Sequence, residues 1–322
     1  MDKFVTDQAE GLRRLLARDG PQVIAVTGGA GSPGRTTTVV NLAAALTGLG
    51  KQVLVIDECG GERSASAMPT GAVHAGTHIE RVEAVLRDTL PLAEAIERHP
   101  PGYGVLCVPR ALGARIAGDA FAKLWHHSAD VVLIDAQLGD DGALSPLALN
   151  AHDVLLVART DSQGVTATYA CIKRLHFAHA IGQFRVVVNH VQNAAEARIV
   201  LDNLVGVASR YLAVALECAG YVAADPHMAR AVELARPIVD AFPSTLAARD
   251  FRSVADEVQH WPLRPALAAC AAASADPHAA AQAARITEVS AVSTVTGMAE
   301  GDAPTEGWPT GPSERRRPMH HA

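Results

Sequence analysis

Short runs of β-branched and aliphatic residues alternate with helical patterns along this chain, and the alternation limits its fold more than any other feature. Six runs have the length and composition of buried strands, at residues 22–26, 52–56, 105–108, 131–134, 154–157 and 185–188. Continuous apolar runs of this kind are typical of parallel strands that are covered on both faces. The sequence therefore predicts an α/β fold with a doubly wound, mostly parallel sheet in three α/β/α layers.

Composition and charge exclude several classes of function. The chain has 28 Lys and Arg against 34 Asp and Glu, a formal charge of −6. That balance disfavours a surface that binds nucleic acid through bulk charge, so we expect no direct nucleic-acid partner. No apolar run approaches the ~20 residues of a membrane-spanning helix, and the five cysteines form no CxxC pair. We therefore expect a cytoplasmic protein with reduced cysteines.

A change of composition near Pro262 suggests where the folded domain ends. The sequence beyond it is rich in Ala, Ser, Gly and Pro and poor in large aliphatic residues. Such a segment buries too little apolar surface to offset its ordering entropy. We predict a disordered tail over residues 263–322, a folded domain over residues 21–262, and a separate segment over residues 1–20.

A glycine-rich loop follows the first strand. Residues 29–36 have the frame GxxxxGKT of a phosphate-binding loop, with Arg35 in place of the lysine. Glycines allow backbone N–H groups to point inward, and the next helix adds the positive end of its dipole, so the loop predicts an anion site. The alternative is an ordinary turn between strand and helix. The candidate nucleotide-binding residues here are Gly29, Gly31, Ser32, Gly34, Arg35, Thr36 and Thr37, and Thr36 is also a candidate Mg²⁺ ligand.

With this loop the chain resembles the MinD/ParA group of P-loop ATPases, whose loop typically reads KGGxGKT. The resemblance implies a P-loop NTPase fold, ATP or ADP and Mg²⁺ as cofactors, and a nucleotide-dependent homodimer. It also places Ala30 where the group has a second, signature lysine. The second strand ends in a segment similar to the group's IDxDxG, in which Asp57 and Gly61 match but Cys59 replaces an aspartate.

Two further strand ends fit the same resemblance. Asp135 ends the run ADVVLID and resembles the Walker B aspartate that holds Mg²⁺ through water, with Gly139 marking the second switch. Asn189 ends the run RVVVN, where the group supplies an adenine contact. The alternatives are a strand-end cap for Asp135 and a turn residue for Asn189. Together Thr36, Asp57 and Asp135 are the candidate Mg²⁺ ligands, and Asp57 is the candidate catalytic carboxylate.

The substituted positions predict a weak or silent ATPase. A cation supplied across a subunit interface is worth about 10³- to 10⁵-fold in phosphoryl transfer. Ala30 offers no such cation, and a neutral thiol at Cys59 is a poor substitute for a carboxylate that orients water. Arg35 keeps its charge, but a guanidinium is bulkier than an ammonium at a phosphate site. We therefore expect weakened nucleotide binding and negligible hydrolysis unless a partner supplies the missing groups.

A short amphipathic segment precedes the first strand. Asp7 can cap a helix with Glu10 three residues later, and Leu12, Leu15 and Leu16 form an apolar stripe. A helix this short is marginal alone, so it either packs on its own domain or folds on a partner.

The string DQAEGLRRLL resembles the DQAxxLR motif of the FlhG/FleN (YlxH-like) flagellar number regulators, which are relatives of MinD. The resemblance covers residues 4–260, and it implies that this helix activates FlhF, a GTPase of the signal-recognition-particle type. Gln8 would then act in the partner's active site, because an amide can orient a water molecule. Asp7, Gln8, Leu12, Arg13 and Leu16 are the candidate partner-binding residues.

Three hypotheses remain open. In the first, the protein regulates flagellar number and placement through that GTPase, in the cytoplasm or weakly associated with the inner face of the membrane or the cell pole. In the second, it is an active MinD/ParA-type ATPase in which Arg35 and Glu58 compensate for the losses, although Glu58 should point away from the site. The third, a DNA-bound partition factor, is disfavoured by the negative charge.

Overall fold

The computed structural model describes residues 20–29, 34–59, 65, 75–116, 118–125 and 129–269. The strands are β1 (Gln22–Gly28), β2 (Val53–Asp57), β3 (Glu97–Arg98), β4 (Gly104–Cys107), β5 (Val131–Asp135), β6 (Asp153–Arg159), β7 (Gln183–Val191) and β8 (Ala215–Ala223). The helices are α1 (Arg35–Gly48), α2 (Ala75–Leu86), α3 (Leu92–Ala95), α4 (Arg110–Gly113), α5 (Ser162–His179), α6 (Ala194–Leu212), α7 (His227–Glu233), α8 (Ile238–Ala241) and α9 (Leu246–Gln259). Two 3₁₀ helices cover Gly118–Leu124 and Ala148–Asn150.

The strands form one sheet in the order β3-β4-β2-β5-β1-β6-β7-β8. β3 pairs antiparallel with β4, and the other described pairs are parallel. The prediction of a doubly wound, mostly parallel sheet is confirmed, and all six predicted strands are present. β3 and β8 were not predicted. β3 has only two residues, and β8 is an edge strand in which exposed and polar residues interrupt the apolar pattern.

Each face of the sheet carries its own apolar core, which makes the three layers. One face packs against α1 and α9, with Ile24, Leu46 and Phe251 among its buried residues. The other packs against α2, α5 and α6, with Leu54 and Ile172 among its buried residues. Among the described residues, the helices are too short or too polar to traverse a lipid bilayer.

The described chain continues past the predicted domain end at residue 262. Arg264 forms ion pairs with Asp153 and Glu217, and Leu267 is buried while its N–H donates to the carbonyl of Ala151. Arg264 and Leu267 of the predicted tail are therefore packed on the domain. Residues 270–322 of the predicted tail lie outside the described residues.

Helices α1 and α9 both bury apolar residues against the sheet. Leu42 and Leu46 are buried on α1, but Leu49 is 42% exposed because the helix ends at Gly48 and the chain turns away from the core. At the end of the domain, α9 buries Phe251 and Val258.

Candidate functional site

Strand register brings two acidic residues together at the carboxyl edge of the sheet. β2 and β5 pair in parallel, with Asp57 opposite Asp135 as the last residue of each strand. Paired residues in a parallel sheet point to the same face, so the two carboxylates are neighbours. Both residues are fully buried. The open α/β sheet thus places its acidic groups where such folds bind ligands, outside the carboxyl ends of the strands.

The described part of the glycine-rich loop is tightly enclosed. Gly34 precedes α1 with a φ of 108°, a left-handed conformation that favours glycine. A Cβ added there would lie 2.4 Å from the Nδ2 atom of Asn189, so the amide of Asn189 lies directly against the loop. At the other end of the loop, a Cβ on Gly29 would lie 2.6 Å from the backbone of Ala167 in α5. Glycine is therefore required sterically at both positions.

Arg35 turns its guanidinium group towards the ends of β2 and β5. Its Nε atom lies 2.5 Å from Oδ1 of Asp135, and its Nη2 atom donates to Sγ of Cys59 at 2.5 Å. Burial by itself lowers the pKa of Arg35, but the attraction of Asp135 and Cys59 outweighs it, so the pKa is raised. The cation of the phosphate-binding loop is therefore committed to an internal ion pair.

The second oxygen of Asp135 is also engaged. Thr36 donates its hydroxyl hydrogen to Oδ2 of Asp135 at 2.7 Å, and the backbone N–H of Cys59 donates to Oδ1 of Asp57 at 2.9 Å. Among the described residues, Asp57, Cys59 and Asp135 form a group whose potential ligand atoms lie within 4.8 Å of one another. Consecutive residues 35 and 36 thus occupy both oxygens of the candidate Walker B aspartate.

The thiol of Cys59 is protonated and unreactive in this pocket. Burial raises its pKa to about 12, and the neighbouring Asp135 acts in the same direction. Burial also raises the pKa of Asp135, against the opposing effects of Arg35 and Thr36. A protonated thiol neither replaces the carboxylate charge of the aspartate in the family motif nor acts as a nucleophile.

Glu58 points away from this group, as its position on an extended segment predicts. One of its carboxylate oxygens accepts the hydroxyl hydrogen of Ser145, and the other accepts the N–H of Gln137 at 3.0 Å. Burial raises the pKa of Glu58 to about 7, although Ser145 and Gln137 stabilise its charged form. Glu58 therefore joins the end of β2 to the segment after β5, and its carboxylate is not directed at Asp57 or Asp135.

Sequence reasoning missed Ser145 and Arg110. Arg110 begins α4 and donates from Nη1 to the carbonyl of Gln137 at 2.7 Å, and Gly139 lies close to the same guanidinium. A basic residue just after a predicted strand end was a usable signal for Arg110. Ser145 had no such signal, because the strand pattern does not determine the path of the segment that follows β5.

The remaining predicted residues divide between described and undescribed parts of the chain. Thr37 lies half-buried in the first turn of α1, and Asn189 ends the regular part of β7, where its Oδ1 accepts the N–H of His190 at 2.9 Å. Several predicted residues lie outside the described residues, namely Ala30, Gly31, Ser32 and Gly61 of the family motifs, and Asp7, Gln8, Leu12, Arg13 and Leu16 of the N-terminal segment.

The oxygen donors of the pocket suit Mg²⁺, which prefers hard oxygen ligands. Thr36, Asp57 and Asp135 supply a hydroxyl and two carboxylates within one group of contacts. Cys59 does not suit Mg²⁺, because its thiol is soft and protonated. The residues therefore fit the ion through three oxygen donors, while the Arg35 guanidinium already lies on one of them.

Comparison with known proteins identifies the class to which this site belongs. Residues 24–238 match the family described as the CobQ/CobB/MinD/ParA nucleotide binding domain. The chain belongs to this family of nucleotide-binding domains and, within it, is FlhG/FleN-like. The sequence relative that supports the narrower assignment is the antiactivator FleN of Pseudomonas aeruginosa, which is 34% identical over 255 residues, 75% of this chain and 88% of FleN.

Solved structures agree with the fold. A chain of the MinC:MinD cell division protein complex of Aquifex aeolicus matches with a TM-score of 0.56 at 19% identity, covering 74% of this chain and 96% of that chain. The septum site-determining protein MinD from Pyrococcus horikoshii, complexed with Mg-ADP, matches with a TM-score of 0.55 at 18% identity and the same coverage of both chains. The predicted P-loop architecture of the MinD/ParA type is confirmed.

Proposed function

We propose that this protein regulates flagellar number and placement in the manner that the FlhG/FleN family name implies. The main support is the 34% identity to the antiactivator FleN across most of both chains. The protein would act in the cytoplasm, with a weak peripheral association at the inner face of the membrane or the cell pole. Its partner would be an FlhF-like GTPase of the signal-recognition-particle type.

The chain's own nucleotide site is, in this proposal, weakened. The observation that carries this step is the Arg35 guanidinium, which lies on Asp135 and Cys59. Adenine nucleotide would bind along the glycine-rich loop with Asn189 beside it, and Thr36, Asp57 and Asp135 would hold Mg²⁺. When bound, Mg²⁺ neutralises charge on the phosphates. A homodimer would lack the signature lysine, because Ala30 occupies that position.

The alternative of an active ATPase needs Arg35 and Glu58 to replace the lost groups. Arg35 is instead paired with Asp135, and the Glu58 carboxylate is bound by Ser145 and Gln137. Neither side chain is directed towards a nucleotide in this arrangement. These contacts support the regulator with weak or absent hydrolysis over the active ATPase.

The output of the protein would come from residues 1–20, a separate activating segment ahead of the folded domain. Asp7 would cap its helix, Leu12 and Leu16 would anchor it in the partner, and Arg13 would pair with acidic or backbone groups there. Gln8 would orient the water molecule that attacks GTP, because its amide can both donate and accept hydrogen bonds. This chemistry takes place in the partner's active site, so it does not require ATP hydrolysis by this chain.

A GTPase assay with the full-length protein tests the proposal. The intact chain should stimulate GTP hydrolysis by an FlhF-like GTPase, and the stimulation should be the same with or without ATP. Gln8→Ala should lose most of it, since alanine cannot orient water. Lys3→Ala, a change in the same segment but outside the motif, is the matched control and should stimulate normally. Equal stimulation by the Gln8→Ala and Lys3→Ala variants would reject the proposal.

A further inference from the structure

The contacts of Arg35 place a positive charge inside a group of potential metal ligands. The ligand atoms of Asp57, Cys59 and Asp135 lie within 4.8 Å of one another. The guanidinium contacts two of these three residues. Its Nε atom lies 2.5 Å from Oδ1 of Asp135, and its Nη2 atom lies 2.5 Å from Sγ of Cys59. A planar fork of N–H groups can bridge two acceptors in this way, whereas the single nitrogen of a lysine cannot do so with the same geometry.

The charges of the group explain why a cation is held there. Asp57 and Asp135 are both fully buried, and a buried carboxylate needs a compensating charge or several hydrogen bonds. Arg35, with 22% of its side chain exposed, pairs with Asp135 and so places a positive charge beside both carboxylates.

A divalent ion and the guanidinium would compete for the same atoms. An ion held by Asp135, directly or through a water molecule, would need the carboxylate oxygens of that residue as acceptors. Oδ1 of that residue already contacts Arg35, and Oδ2 accepts the hydroxyl hydrogen of Thr36. Two cations within a few ångströms repel each other strongly where water is largely excluded. Binding of the ion therefore requires the guanidinium to leave.

We infer that the Arg35 guanidinium is a built-in cation that competes with divalent metal ions for the carboxylates of Asp57 and Asp135. The pocket carries its own counterion, so its affinity for a free divalent ion is low in the intact chain. Removal of the guanidinium charge exposes a carboxylate site for a divalent ion. The inference rests on the proposed weakness of the nucleotide site and gives it a specific cause, but it does not involve the N-terminal segment.

Binding of Mn²⁺ to the full-length protein without nucleotide tests the inference, with the free ion measured by electron paramagnetic resonance. Arg35→Gln should bind Mn²⁺ at least about ten-fold more tightly than the intact chain, a difference of about 1.4 kcal/mol. Arg110→Gln is the matched control. It removes one positive charge from the same edge of the sheet but leaves the group around Asp135 intact, so its Mn²⁺ affinity should stay close to that of the intact chain.

Two further variants locate the site and guard against misfolding. Adding Asp135→Asn to Arg35→Gln should abolish the gained affinity, because the ion then loses a carboxylate ligand. If Arg35→Gln does not fold, Arg35→Met replaces it. Methionine keeps an unbranched side chain but carries no charge, so Arg35→Met should also bind Mn²⁺ more tightly than the intact chain.

The inference is overturned if the folded Arg35→Gln variant binds Mn²⁺ no more tightly than the intact chain, or if Arg110→Gln gains as much. It is also overturned if Arg35→Met, used as the substitute, shows no gain. These outcomes would leave the GTPase proposal untouched, since that assay depends on Gln8. Loss of GTPase stimulation in the intact chain would reject the proposed function and leave the Mn²⁺ result standing.

Discussion

Two clusters of arginine and carboxylate, each with a buried aspartate, lie at opposite edges of the sheet. At the amino edge, Asp153 and Glu217 near the starts of β6 and β8 meet Arg185 and Arg264, with N–O distances of 2.7–3.1 Å. The guanidinium of Arg185 also lies 4.1 Å from the ring centroid of Trp261. At the carboxyl edge, Arg35 is the guanidinium that contacts Asp135, beside Asp57.

The two clusters differ in what their ion pairs connect. At the amino edge, Arg185 and Arg264 pair with Asp153 and Glu217, and these pairs join β6, β7, β8 and the end of the described chain. Such a cluster holds these elements in one arrangement. At the carboxyl edge, Arg35 pairs with Asp135 in the candidate nucleotide pocket, beside the second buried carboxylate of Asp57. Acidic groups gathered in a pocket of this kind are typical of a site that binds a ligand.

The amino-edge cluster should be the more costly of the two to disrupt. Asp153→Asn leaves Arg185 and Arg264 facing a neutral amide, and removing one partner of a buried ion pair costs about 3–5 kcal/mol. Urea unfolding measures the change in the free energy of unfolding. Asp202→Asn is the control, because its pair with Arg198 is exposed and 3.8 Å long, and it should change stability little. If Asp153→Asn lowers the free energy of unfolding as little as the control does, the amino-edge cluster does not have this structural role.

At the carboxyl edge, Glu58 should instead make the stability of the protein depend on pH. The pKa of Glu58 is raised from 4.5 to about 7, so the folded state binds more protons than the unfolded state between these values. The contribution of Glu58 to the free energy of unfolding is therefore fully present below pH 4.5 and is lost as the pH rises through 7. Integrated over this window, the loss is about 3 kcal/mol.

Glu58→Gln isolates this contribution. The intact chain should lose stability relative to Glu58→Gln as unfolding is measured from pH 4.5 to 8, because the glutamine does not titrate. The difference between the two proteins cancels the other groups that titrate in the same range. Parallel curves for the two proteins would show that burial does not perturb Glu58.

A smaller effect is expected from the Arg35 ion pair. Arg35→Gln should lower the free energy of unfolding by about 2 kcal/mol, the scale of a hydrogen bond to a charged group. Mn²⁺ should recover much of the loss, since the ion replaces the missing positive charge and binds the folded state preferentially. Asp153→Asn should show no such recovery. Equal responses of both variants to Mn²⁺ would mean that the two clusters do not differ as described.

Much of the fold could be predicted because a buried strand leaves a continuous apolar run. The pairing of Asp57 with Asp135 also follows, since both residues end such runs and parallel strands finish at a common edge. Two other features were not predictable in this way. β8 is an edge strand with exposed residues, and Arg264 is held by ion pairs in a stretch whose composition suggested a tail.

The chemistry of the site was only partly predictable. Substitutions at Ala30, Arg35 and Cys59 are visible in the sequence, and the prediction of a weakened site rests on them. The contacts of Arg35 cannot be predicted from the sequence, because the acceptors within reach of its long side chain come together only in the folded structure. The amino-edge cluster was missed for the same reason, since Asp153 and Arg264 are 111 positions apart.

ATP turnover by the full-length protein tests the central claim most directly, namely that Arg35 is held by Asp135 and Cys59 and that the pocket therefore does not hydrolyse ATP. The comparison is with a variant that carries Ala30→Lys, Arg35→Lys and Cys59→Asp, which restores the family's residues at all three positions. We predict that the intact chain hydrolyses ATP at the background rate and that the restored variant shows measurable turnover. Hydrolysis by the intact chain as fast as by the restored variant would contradict the account.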